Sequence, residues 1–68
     1  MKNSIKVKRA IKDFTQTDLA NKIGVSRQTI HAIETGKYVP SLSLALKMAA
    51  VFDCKVEDIF ELESGDWE

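Results

Sequence analysis

The sequence predicts an all-α fold of five short helices, and three observations predict it. Between Gln16 and Glu34 the apolar residues fall at helical spacing in two stretches, with Gly24 between them. Ser4, Thr15, Ser26 and Ser41 each stand just before such a stretch, where a side-chain oxygen can take a free backbone N–H. From Leu42 to Phe52 the chain is apolar almost all the way round, as a helix enclosed by others must be.

Taken in order, Ser4 is read as the cap of a first helix running to about Lys12, with Ile5, Val7, Ala10 and Ile11 as a loose apolar stripe. Phe14 follows in the connection, placed to plug the core. Thr15 caps a second helix, and Thr15-Gln16-Thr17-Asp18 has the form of a capping box with Asp in the usual place of Glu or Gln. Leu19, Ala20 and Ile23 form its inner face, and Ala20 is small enough to let the next helix approach. Gly24 ends it, where the chain turns and a positive φ favours glycine.

Ser26 then caps a third helix over about residues 27–35, with Ile30 and Ile33 inward, Ala32 alongside and Gly36 as its stop. Its early turns carry Arg27, Gln28, Thr29 and His31, none suited to a core and all suited to the edges of base pairs. The pair is a helix-turn-helix with a polar reading end.

Pro40 and Ser41 introduce the fourth helix, whose encircling apolar residues predict the most buried position. Asp53 ends it in a left-handed conformation that Asp tolerates moderately. A short fifth helix covers about residues 56–60, with Glu57 and Asp58 near its positive end. Phe60-Glu61-Leu62-Glu63 then alternates at period two, a weak strand signal broken by Gly65.

Sixty-eight residues suffice for one small domain, 1–68, with a single core. A core of this size stabilises by only a few kcal/mol, so dimerisation would add to it. No run reaches the roughly 18 apolar residues of a membrane span, and Met1-Lys2-Asn3-Ser4 lacks the apolar stretch of a signal peptide. One cysteine excludes an internal disulfide and a cysteine-rich metal site. A cytoplasmic protein is expected. The net charge is zero, but it divides unevenly. Residues 1–40 hold eight basic residues and three acids, a balance of +5, while residues 41–68 hold two and seven, a balance of −5. The basic part contains the helix-turn-helix, and phosphate attraction depends on the local potential rather than the total. Two solvated surfaces with scattered charge remain the plainer reading of the same split.

Several stretches together resemble the Cro/C1-type helix-turn-helix regulators, the XRE family. They are Phe14-Thr15-Gln16-Thr17-Asp18-Leu19-Ala20, Ile23-Gly24-Val25-Ser26-Arg27-Gln28-Thr29-Ile30, Ile33-Glu34-Thr35-Gly36-Lys37-Tyr38 and Pro40-Ser41-Leu42, in that order. The resemblance spans about residues 5–60 and leaves 61–68 as an acidic tail. It implies a five-helix lambda-repressor-like domain that binds double-stranded DNA as a homodimer and regulates transcription, as a repressor rather than an activator. By the matched positions, Arg27, Gln28 and His31 read base edges, and Thr29 meets a thymine methyl or a phosphate. Gln16 grips a phosphate, Ser26, Lys37 and Tyr38 follow the backbone, and Arg9 pairs with Glu34 with a phosphate contact as its second role. Three positions depart from the family pattern: Lys8 stands where an apolar residue is usual, Asp53 where Gly is common, and Lys55 where Ser or Thr caps the last helix. In some small relatives the chain ends pair as a two-stranded sheet, and Lys2–Asn3 with residues 60–62 can do so here.

The chemistry supports these roles without requiring them. Arginine can fork onto guanine O6 and N7, and glutamine can match adenine N7 and N6; both are also ordinary residues of an exposed helix. His31 is a base reader or a solvated surface residue, with no second His or Cys at ligand spacing for a metal. Cys54 is expected to be a buried, inert thiol. Trp67 and the tail form either a disordered acidic end or part of a dimer contact, for which Val56, Phe60 and Leu62 are the stronger candidates. The competing functional class is an interaction module, an antitoxin or protein-bridging factor on the same fold. No catalytic constellation, cofactor motif or small-molecule site is evident.

Overall fold

A computed structural model describes residues 1–68. The elements run β1 (Lys2–Asn3), α1 (Ile5–Lys12), α2 (Gln16–Ile23), α3 (Arg27–Glu34), α4 (Leu42–Phe52), α5 (Val56–Ile59), β2 (Phe60–Glu61) and a 3₁₀ turn at Ser64–Trp67. Five helices thus surround one core, and a small antiparallel sheet joins the chain ends. No helix is long and apolar enough to cross a membrane.

The core is continuous. Ile5 comes from α1, Leu19, Ala20 and Ile23 from α2, Ile30 and Ile33 from α3, Leu44, Met48, Ala49 and Phe52 from α4, and Ile59 from α5. Helix α4 packs on α1, α2 and α5, and α2 packs on α3. Phe14 plugs the α1–α2 connection, its ring stacked 6.3 Å from that of Phe52. Lys22 closes the outer side of the same ring, its Nζ 4.8 Å from the centroid.

The caps follow from chemistry. Thr15 Oγ1 accepts the Asp18 N–H at 3.0 Å, and Asp18 Oδ2 accepts the Thr15 N–H at 2.9 Å, completing the capping box. The Thr15 backbone N–H, and after it the Thr15 hydroxyl, hold the Asp18 carboxyl below its usual range. Ser26 Oγ takes the Thr29 N–H and Ser41 Oγ the Leu44 N–H. Gly24 has φ 76°, the left-handed turn that separates α2 from α3. Asp53 ends α4 with φ 55°, as its position predicts, and Asp13 does the same for α1 at φ 58°.

Several expectations need correcting. Ser4 does not cap α1 with its side chain. Its hydroxyl donates instead to the Asp58 carbonyl at 3.0 Å, and Asn3 Oδ1 takes the Ile5 N–H at 3.3 Å. The sheet draws the chain end against α5, and Ser4 spends its donor there. Helix α1 buries only Ile5 fully; Val7 and Ile11 are 58% and 70% exposed. Helix α4 is the most buried, yet Leu42 and Leu46 lie outside, because a bundle this small cannot cover it on every side. Cys54 is half-buried against the edge of the core rather than enclosed. Helix α5 begins after Lys55, whose N–H is accepted by Asp58 Oδ2 at 3.0 Å in place of a hydroxyl cap.

The ends meet as the resemblance implies. Lys2 pairs with Glu61 and Asn3 with Phe60, and the pairing stops before Leu62. The acidic tail ends in the 3₁₀ turn, with every residue from 61 to 68 exposed. The Met1 ammonium lies 3.0 Å from Glu63 and 3.1 Å from Asp66; these two carboxylates, Glu63 first, strengthen its hold on its proton and anchor the chain end to the 3₁₀ turn.

Candidate nucleic-acid interface

Helix α3 is fixed from behind and open in front. Ile30 and Ile33 are wholly or almost wholly buried, so the opposite face is committed to solvent. Arg27, Gln28 and His31 are exposed there. Thr29 is half-buried, and its Oγ1 lies 2.9 Å from Ser26 Oγ. The Ser26 hydroxyl is therefore engaged both with the helix cap and with Thr29. The Thr29 methyl takes no part in this bond.

Beyond α3 the chain folds back on itself. Gly36 adopts φ 79°, and the N–H groups of Lys37 and Tyr38 both donate to the Ala32 carbonyl, at 2.9 and 3.2 Å. This return places Tyr38 beside α3, where it lines a shallow, mostly apolar depression with Gln28, Thr29 and Ala32. Lys37 and Tyr38 are both exposed.

A second, wholly polar hollow lies at the α1–α2–α3 junction. It is lined by Asn3, Lys6, Arg9, Gln16, His31, Glu34 and Thr35. Arg9 Nε donates to Glu34 Oε2 at 2.7 Å, Nη2 to Oε1 at 3.1 Å, and Nη1 to the Phe14 carbonyl at 3.0 Å. The side chains are 14% and 9% exposed, so this two-pronged pair is largely shielded from water. Glu34 strengthens the hold of Arg9 on its proton. Arg9 is thus first a tie between α1 and α3. Gln16 Nε2 reaches Glu34 Oε1 at 3.3 Å and His31 Nδ1 at 3.4 Å.

The structure gathers Arg9, Gln16, His31 and Glu34 into one hollow, and Gln28, Thr29 and Tyr38 around the other. It divides the four expected dimer residues. Val56 and Phe60 are half-buried against the core, whereas Leu62 and Trp67 are exposed. Three residues of the polar hollow, Asn3, Lys6 and Thr35, escaped the sequence reading. Asn3 Nδ2 donates to the Ile33 carbonyl at 3.0 Å, tying the sheet to the end of α3; a lone Asn near a chain end gives no sign of this. Lys6 stands three residues before Arg9, on the same side of a helix, and that spacing was the available signal.

Comparison with known proteins places this geometry. A helix-turn-helix family model matches residues 5–59. An uncharacterized HTH-type transcriptional regulator of Methanocaldococcus jannaschii is 59% identical over 97% of this chain and 100% of its own length. The HTH-type transcriptional regulator YgzD of Bacillus subtilis is 52% identical over 93% of this chain and 96% of its own. Among solved structures, the N-terminal DNA-binding domain of SinR from Bacillus subtilis superposes with a TM-score of 0.75 at 30% identity, covering 88% of each chain. The lambda-repressor-like arrangement of five helices is shared with that domain. The chain belongs to the Cro/C1-type (XRE) helix-turn-helix family, the fold of DNA-binding transcriptional regulators rather than of enzymes.

Proposed function

We propose that the protein is a repressor that binds a near-palindromic operator as a homodimer, with α3 in the major groove. One observation carries the reading: α3 buries Ile30 and Ile33 and turns Arg27, Gln28 and His31 outward from a locked orientation. In the groove, Arg27 donates to guanine, Gln28 matches adenine, His31 reads a neighbouring edge and the Thr29 methyl packs on thymine. Gln16, Ser26, Lys37 and Tyr38 hold the phosphates, and Arg9 adds charge at the same edge. The +5 balance of residues 1–40 supports docking by this side.

The acidic half then faces away from DNA and supplies the contact between copies, through exposed Leu62 and Trp67 and the outer edges of Val56 and Phe60. Two copies present their reading helices about 34–36 Å apart, one turn of the duplex. Occupying an operator inside a promoter excludes polymerase, which is the basis for repression. Such a protein works in the cytoplasm, where the duplex is.

The test is selection of bound sequences from a random duplex pool, with the oligomeric state measured in parallel. A two-fold sequence with half-sites one turn apart is expected, and its binding should weaken steeply with salt. A monomer that enriches no sequence would replace this reading with a protein-bridging role.

A further inference from the structure

We infer that His31 is a proton-operated positioning residue for Gln16: taking up a proton at His31 turns the Gln16 amide toward a DNA phosphate. The inference rests on the proposed phosphate role of Gln16 and deepens it. Gln16 Nε2 lies between Glu34 Oε1 and His31 Nδ1, at 3.3 and 3.4 Å. An amide carries its donors on nitrogen and only acceptors on oxygen, and a carboxylate only accepts. The nitrogen, not the oxygen, must therefore face Glu34. Its second N–H is left for His31 Nδ1, which accepts it only when the ring is neutral and carries its proton on Nε2. Both donors then point inward, and the carbonyl oxygen is the group left for an outside partner. A carbonyl oxygen has no hydrogen bond to give a phosphate.

Protonation reverses this. Both ring nitrogens become donors, and Nδ1 can no longer accept from the amide. A turn of the amide that keeps one N–H on Glu34 Oε1 sets its oxygen against Nδ1–H and presents the second N–H outward. The proton comes from solvent, and no covalent bond other than N–H changes. The charged groups lining the hollow are Lys6 and Arg9 from α1 and Glu34 from α3; Gln16 from α2, Asn3 from β1 and Thr35 complete its wall as neutral groups. With His31 neutral these leave one net positive charge, and with His31 protonated they leave two. An anion is favoured in the second state. By reciprocity, a phosphate seated at the hollow favours the proton. His31 is the single histidine of the chain.

The test uses the full chain and the duplex obtained from the random pool. Wild-type affinity should fall about fivefold or more between about pH 6 and pH 8. His31→Gln should bind with a flat profile over the same range, and Gln16→Met should lose most of the gain at the acid end. In the free protein, NMR should show the Gln16 side-chain amide signals moving with the same midpoint as the His31 ring protons. Amide signals that ignore the ring overturn the inference, as does a pH profile unchanged by either substitution. Those outcomes, with the duplex still bound, leave the DNA-binding reading standing. A chain that binds no duplex at any pH brings down both.

Discussion

Helices α3 and α4 share one core but are held in it by different forces. Helix α4 contributes Leu44, Ala45, Met48, Ala49 and Phe52 to the buried set. Helix α3 contributes Ile30 and Ile33, and then relies on Arg9 at Glu34, Asn3 at the Ile33 carbonyl and Gln16 at both Glu34 and His31. Apolar burial is strong but non-directional. It settles which face of a helix turns inward and leaves room for small rotations. Hydrogen bonds and a two-pronged ion pair fix direction. The helix that supports is packed, and the helix that presents groups to a partner is aimed.

The largest test of that contrast is Met48→Ala. Met48 is fully buried, and its truncation should cost about 2–5 kcal/mol in urea unfolding. Leu46→Ala, on the exposed side of the same helix, should stay within about 0.5 kcal/mol. Equal effects at the two sites would show that α4 is covered on its outer side as well.

Arg27→Ala combined with Gln28→Ala should do the reverse. Both residues are exposed, so stability should hold within about 0.5 kcal/mol. Operator affinity should drop by about 2 kcal/mol or more, from two lost base contacts of about 1–3 kcal/mol each. Retained affinity in this variant would sink the proposed mode of reading.

Arg9→Ala probes the aiming rather than the core. The pair is largely but not wholly shielded, so the cost should be about 2 kcal/mol, below that of a fully enclosed pair. Specificity should suffer as well, because α3 loses its tie to α1. Replacing both Arg9 and Glu34 by Met should recover stability without recovering specificity. If the double variant also restored specificity, the pair would have no role in aiming α3.

The smallest effect concerns acid. The Asp18 carboxyl is held low by the Thr15 N–H and hydroxyl. A carboxylate whose folded pKa lies below its unfolded one adds stability above the unfolded value, near pH 4, and loses it as pH falls through the folded value. Asp18→Asn should therefore lower stability at neutral pH and flatten the acid limb of a stability–pH curve. An unchanged acid limb would leave the capping box without this role.

The same division explains what could be read in advance. The helix-turn-helix was legible because Leu19, Ala20, Ile23, Ile30 and Ile33 keep one period and Gly24 interrupts it. The capping box was legible because its members are three residues apart. Ser4 was misread because the same hydroxyl that caps a helix can bond any carbonyl brought within reach, and the Asp58 carbonyl is distant in sequence. Asn3 went unnoticed for the same reason. For Arg9 and Glu34 the expectation came from the family resemblance, since nothing local joins residues 25 apart.

By itself, then, the sequence determined the helices, the caps at Thr15, Ser26 and Ser41, the polar outer face of α3 and the uneven charge of the two halves. These are local or periodic properties, set by bonds between near neighbours and by the 3.6-residue repeat. The tertiary structure alone decided that the Leu42 and Leu46 side of α4 stays open, that Asn3 ties the sheet to α3, and that Gln16 sits between Glu34 and His31. Those contacts join groups far apart in the chain. Their formation depends on how several packed elements meet, which no short-range pattern encodes.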